Sequence, residues 1–269
     1  YNPDTGTWNL LTGLNFNPMI LNYSSAQYGE RDWWPLFNLA PDGRVFHSGP
    51  TPQMHFIDTA GTGTATEVLD EFTDWYPKHG TTIMYDEGKL LTAGGWSNGS
   101  TLASTNQAIT IDLNQPVPDI QPTQPMINAR KFHNGVMLPN GEVLVVGGNT
   151  SGQKFNDTGS VFTVEIWNPA TGQWREGAPM AVPRTYHSIA LLLTDGSVLS
   201  AGGGLCNCAA DHPDAQIYYP PYLYNDDGTF KPRPSILTAP AAIRAGDTFE
   251  VTTDEDIAEF SVIKMSSTT

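Results

Sequence analysis

Asn140-Gly141-Glu142-Val143-Leu144-Val145-Val146-Gly147-Gly148 is the stretch that decides the fold. Asn-Gly favours the tight turn between antiparallel strands, because both residues tolerate positive φ. The four apolar residues that follow suit a short strand buried on both faces. The closing glycine pair lets that strand end against a neighbouring backbone. The phrase recurs with Glu87-Gly88 as its turn and Gly94-Gly95 as its pair, and again with Asp195-Gly196 and Gly202-Gly203. A weaker copy runs from the turn Asp42-Gly43 to the single Gly49. The three glycine pairs lie 53 and 55 residues apart.

A β repeat of about 50 residues is the period of a kelch-type propeller, whose blades bury their faces only against neighbouring blades. A second phrase supports the repeat. Tyr1-Asn2-Pro3-Asp4-Thr5-Gly6-Thr7-Trp8 reads almost like Trp167-Asn168-Pro169-Ala170-Thr171-Gly172-Gln173-Trp174, a Pro/Gly turn framed by packing aromatics. The expected fold class is therefore all-β: about four to five blades of an expected seven. Because that number does not close a ring, the chain is expected to be a central piece of a longer polypeptide.

After Pro220-Pro221 the repeat stops. Residues 1–222 are assigned to the incomplete propeller, and residues 223–269 to a linker and the first strands of an immunoglobulin-like sandwich. The alternation in Thr248-Phe249-Glu250-Val251 and the run Glu259-Phe260-Ser261-Val262-Ile263 would be those strands.

The formal net charge of −15 repels phosphate backbones, which argues against nucleic acid as a partner. No apolar run is long enough to span a bilayer as a helix. Cys206 and Cys208, one residue apart, suit either a local disulfide formed in an oxidising compartment or a pair of soft-metal ligands. No secretory leader is visible, yet a secreted, extracellular location is expected.

Chemistry concentrates in Arg184-Thr185-Tyr186-His187-Ser188, just ahead of an apolar strand and the turn Asp195-Gly196. Imidazole and phenolate suit tetragonal Cu(II). Adjacent residues of a strand point to opposite faces, so the pair could share one metal only at a strand start or in a loop. From spacing alone, a packed Tyr beside a solvent-facing His is the favoured reading.

Arg-x-Tyr-His-Ser, followed by a strand, Asp-Gly and Gly202-Gly203-Gly204-Leu205-Cys206, resembles the galactose oxidase and glyoxal oxidase-like copper-radical oxidases. Asn17-Pro18-Met19, Ala129-Arg130-Lys131-Phe132-His133, Asp214-Ala215-Gln216-Ile217 and Pro221-Tyr222-Leu223-Tyr224 extend the resemblance along the chain. It implies copper as cofactor, with Tyr186 as axial ligand and catalytic base and His187 as equatorial ligand. The radical-storing cysteinyl-tyrosine and a second histidine would lie outside this sequence. Phe155 falls where the family places an aromatic lining the substrate pocket. Arg31 falls near its sugar-binding arginine. The implied partners are a small alcohol, aldehyde or sugar and O2, together with further N-terminal blades and a C-terminal domain of the same polypeptide.

The sequence also departs from the family. Gly95-Trp96-Ser97-Asn98 stands where the sugar oxidases carry Tyr-Gln, which argues against galactose itself. The cysteine loop is one residue shorter than the family's. His133 follows Phe132 in a family phrase and is assigned a structural role; His47, His55, His79 and His212 show no ligand spacing. Two other functions stand beside the oxidase: a non-catalytic carbohydrate- or surface-binding propeller without the radical cofactor, and a scaffold for protein partners.

Overall fold

The computed structural model describes residues 4–14, 35–50, 53–68, 75–97, 103–244 and 246–263. Four antiparallel sheets follow one another along the chain. The first holds β1 (Phe37–Leu39), β2 (Val45–His47), β3 (Met54–Asp58) and β4 (Thr64–Val68) in chain order. Between it and the next, β5 (Trp75–Tyr76) pairs with β8 (Trp96–Ser97). The second sheet is β6 (Thr81–Asp86), β7 (Lys89–Ala93), β9 (Ala108–Asp112) and β10 (Asp119–Pro122). The third is β11 (Lys131–Met137), β12 (Val143–Asn149), β13 (Thr163–Asn168) and β14 (Gln173–Pro179); the fourth is β15 (Ser188–Leu192), β16 (Val198–Gly202) and β17 (Ala215–Tyr218). Among the described residues the only helical piece is a 3-10 turn, Pro221–Leu223. These are four propeller blades, as the repeat predicts.

The apolar runs are continuous because both faces of each blade are covered. In β7, Leu90 enters the core shared with the first blade, while its neighbour Leu91 enters the core shared with the third. In β12, Val143 and Val145 face the second blade, and Leu144 and Val146 face the fourth. Each such side chain stabilises by roughly 1.5–3 kcal/mol on burial. Trp167 from the aromatic-Asn-Pro phrase packs edge-on to Tyr85 of the blade before, at 5.0 Å, and Trp174 donates its indole N–H to Gln124 O. Trp8, at the corresponding place in the first copy of the phrase, is 83% exposed.

The innermost strands β1, β6, β11 and β15 together line a cavity of about 800 Å³, the axial channel around which the blades stand. Ser261, Val262 and Ile263 also line it, and Ser261 Oγ donates to Pro139 O at 2.7 Å.

Beyond the blades, β18 (Ile236–Thr238) pairs with β19 (Thr252–Thr253) as a separate two-stranded sheet that adds to no blade. The pairing falls beside the strands expected at residues 248–251 and 259–263, not on them. Phe249 and Phe260 are both exposed, so the alternation read from sequence has no apolar surface here to fix its register.

Candidate metal centre

Tyr186 and His187 sit at the mouth of the innermost strand of the fourth blade, β15 beginning one residue later. His187 has φ 69°, in the left-handed region. That turn of the backbone brings two neighbouring side chains onto one side, with their rings stacked at 3.9 Å between centroids and 30° between planes. A left-handed L residue costs about 1–2 kcal/mol, so its surroundings must hold it there. Gly204 does so from both ends of its own peptide units. Its N–H donates to Tyr186 O at 2.8 Å, and its carbonyl accepts from His187 Nδ1 at 2.6 Å. A carbonyl only accepts, so Nδ1 carries the proton and Nε2 keeps its lone pair. A metal-ligating histidine is oriented in this manner.

The kink is a property of the repeat. His79 (φ 61°) and Phe132 (φ 60°) stand 15 residues before the first glycine of their blades' pairs, as His187 does. Three successive blades thus present a ring at one end of the axis, and the rings form a continuous wall. His79 meets Phe132 at 4.7 Å, and Phe132 meets Tyr186 at 5.3 Å. Phe155, itself left-handed on the loop between β12 and β13, lies edge-on to Tyr186 at 5.1 Å and to His187 at 5.7 Å. Tyr186 is buried, whereas His187 is exposed and Phe155 is 40% exposed. The structure therefore brings together Tyr186, His187 and Phe155; Arg31 lies outside the described residues. Sequence reasoning missed His79, Trp96 and the lysines around them, although the constant spacing to the glycine pairs carried the signal for His79.

This end of the axis is positively charged although the chain is acidic. Lys78 Nζ and Lys131 Nζ lie over the Trp96 ring at 4.3 and 5.1 Å, and Lys154 Nζ lies 5.4 Å from the Tyr186 centroid. Burial, with the charges of Lys78, Lys154 and Lys131, pushes the His79 pKa down to about 3, so His79 is neutral.

Behind the site, Arg184 donates Nη1 to Gly202 O at 3.0 Å and pairs with Asp214, while Arg130 does the same to Gly147 O and pairs with Glu165. These guanidiniums pin the glycine-pair ends of the two blades. Gly147, with φ 76°, closes on the motif itself: a Cβ there would lie 2.3 Å from Arg184 O. His133 is buried between the second and third blades.

Cys206 and Cys208 are joined by a disulfide. Together with Asp211 they are the one cluster of three metal-capable side chains among the described residues. Bonded sulfurs are not thiolates, so this cluster does not compete as a metal site while the bridge stands. A phenol oxygen beside an imidazole with a bare Nε2 is an N,O donor set that fits Cu(II).

Fold and site together define a kelch propeller segment with a candidate copper centre at one end of its axis. A Kelch motif model matches residues 131–181, which span the third blade. A galactose oxidase of Gibberella zeae is 34% identical over 280 residues, covering 100% of this chain and 41% of that protein. An aldehyde oxidase of Arabidopsis thaliana is 31% identical over 152 residues, covering 52% of this chain and 25% of that one. A copper-complexed fungal alcohol oxidase of the AA5 family matches in structure with TM-score 0.86 and 34% identity, over 95% of this chain and 54% of that chain. The chain belongs to the galactose oxidase-like family, and it spans less than half the length of the curated relatives it matches.

Proposed function

We propose that the complete polypeptide is an extracellular copper-radical oxidase. It would oxidise a primary alcohol to an aldehyde, or a hydrated aldehyde to an acid, passing two electrons and two protons to O2 to give hydrogen peroxide. The observation that carries this reading is His187, whose Nδ1–H is committed to Gly204 O beside the stacked Tyr186 phenol. Tyr186 Oη and His187 Nε2 would hold copper, which supplies one-electron redox chemistry towards O2. Tyr186, deprotonated, accepts the substrate hydroxyl proton as a positioned general base. Phe155 and Phe132 pack edge-on against the Tyr186 ring and would give the substrate's carbon end an apolar surface to lie on.

The Cys206–Cys208 disulfide supports the extracellular assignment, since such bonds persist in oxidising compartments. We place the domain boundary near residue 222, because Tyr222 still packs into the core between the last two blades while β18 and β19 pair apart from them. The cysteinyl-tyrosine that would store the radical, and the second histidine, are assigned to the rest of the polypeptide. Gly95-Trp96-Ser97-Asn98, in place of the sugar oxidases' Tyr-Gln pair, argues against galactose as the substrate.

The test is peroxide release from small primary alcohols and aldehydes by the copper-loaded full-length protein. Tyr186→Phe removes only a hydroxyl, so the fold should persist while turnover drops by roughly 10²–10⁴-fold. Equal output from both proteins would take Tyr186 out of the mechanism.

A further inference from the structure

The turn that follows Gly204 is built around one carboxylate. Asp211 Oδ1 accepts the backbone N–H of Cys206 at 2.9 Å. Leu205 and Asn207 both adopt left-handed φ, 69° and 56°, a local geometry that turns successive N–H groups towards one anion. The N–H of Cys206 above all, with those of Cys208, Asn207 and Leu205, draws the Asp211 carboxyl below the usual carboxylate range, against a smaller opposing effect of desolvation. Asp211 is also packed on Gly204: a Cβ on that glycine would lie 2.3 Å from Asp211 Oδ1. Gly204 in turn holds the metal pair, through its N–H on Tyr186 O and its carbonyl on His187 Nδ1.

We propose that Asp211 is a positioning residue for His187: its carboxylate folds the 205–208 turn so that Gly204 presents its carbonyl to Nδ1 and keeps Nε2 as the ligating nitrogen. The inference rests on the copper reading above. Without the anion, the gathered N–H groups lose their acceptor and the left-handed residues lose their reason to stay. The Gly204 carbonyl is then free to turn, and His187 can take the other tautomer. The disulfide spans the same turn, but it does not replace the acceptor, because a sulfur bridge restrains two side chains and leaves the N–H groups unpaired.

The test uses the full-length protein and three variants, read by Cu(II) affinity in chelator competition and by the Cu(II) paramagnetic resonance spectrum. Asp211→Ala should bind copper about 10–100-fold more weakly, the range for removing an outer orienting partner, with an altered spectrum and a melting temperature near wild type. Asp211→Asn keeps an acceptor oxygen without the charge and should fall between the two. Wild-type affinity and spectrum in folded Asp211→Ala overturns the role. Should that variant fail to fold, Asp211→Asn decides alone: several-fold weaker binding supports the role, and equality overturns it. His187→Ala separates the two claims. If it loses copper while the Asp211 variants do not, only the positioning role fails; if it keeps wild-type copper binding, the copper reading beneath it fails.

Discussion

His187 owes its partnership with Tyr186 to a single dihedral, and that dihedral is set by residues far along the chain. Gly204 holds it through His187 Nδ1, and Gly147 closes on the carbonyl of Arg184 three residues before it. Gly147→Ala should therefore destabilise by about 2 kcal/mol or more, since the left-handed conformation alone costs about 1–2 kcal/mol and the methyl meets backbone that cannot rotate away. A denaturant midpoint within error of wild type would refute that contact. At this scale the sequence was only half legible. Arg184-Thr185-Tyr186-His187-Ser188 carried the family resemblance, but its spacing by itself favoured a packed Tyr beside a solvent-facing His. The hydrogen bond that orients the His187 ring spans 17 residues, which no local pattern encodes. Asp211 was silent for the same reason: its role exists only once the 205–208 turn has wrapped around it.

Blades were the most legible elements, because turn, apolar run and glycine pair all follow from local chemistry. Leu90 and Leu91 show why the apolar runs need no alternation: neighbouring side chains serve two different cores. What the pattern did not mark is the charge inside the third blade, where Arg130 and Glu165 pair with both side chains fully buried. Glu165 also accepts the backbone N–H groups of Ile127 and Asn128, at 2.6 and 3.0 Å. Glu165→Ala strands a buried guanidinium and two backbone donors, so a loss of about 3–5 kcal/mol is expected in equilibrium unfolding. A loss below about 1 kcal/mol would show that water reaches the pair. Past the blades legibility fell: residues 248–251 alternate as a strand should, yet the pairing formed at Thr252–Thr253. Alternation fixes a register only where one face has a core to meet.

Across the molecule, the buried imidazoles set the response to acid. Burial, with the neighbouring His55, pushes His47 down to about 4, and burial with Arg130 pushes His133 down to about 3. Both folded values lie below the 6.5 of a free imidazole, so the unfolded chain takes up protons that the folded chain refuses. Stability should be flat above about pH 7 and fall as pH drops from about 6.5 towards 3–4, where the folded imidazoles begin to charge. Replacing His47 with Gln should flatten that slope by about one proton; an unchanged slope would mean that His47 already charges in the folded state. The same scale joins the chemistry to the architecture, since three blades each contribute a left-handed ring to one end of the axis. Anomalous diffraction at the copper edge, from crystals of the copper-loaded full-length protein, tests that centre most directly. One peak bonded to His187 Nε2 beside the Tyr186 hydroxyl is the expected result; a peak at Cys206, Cys208 and Asp211, or none near His187, would contradict it.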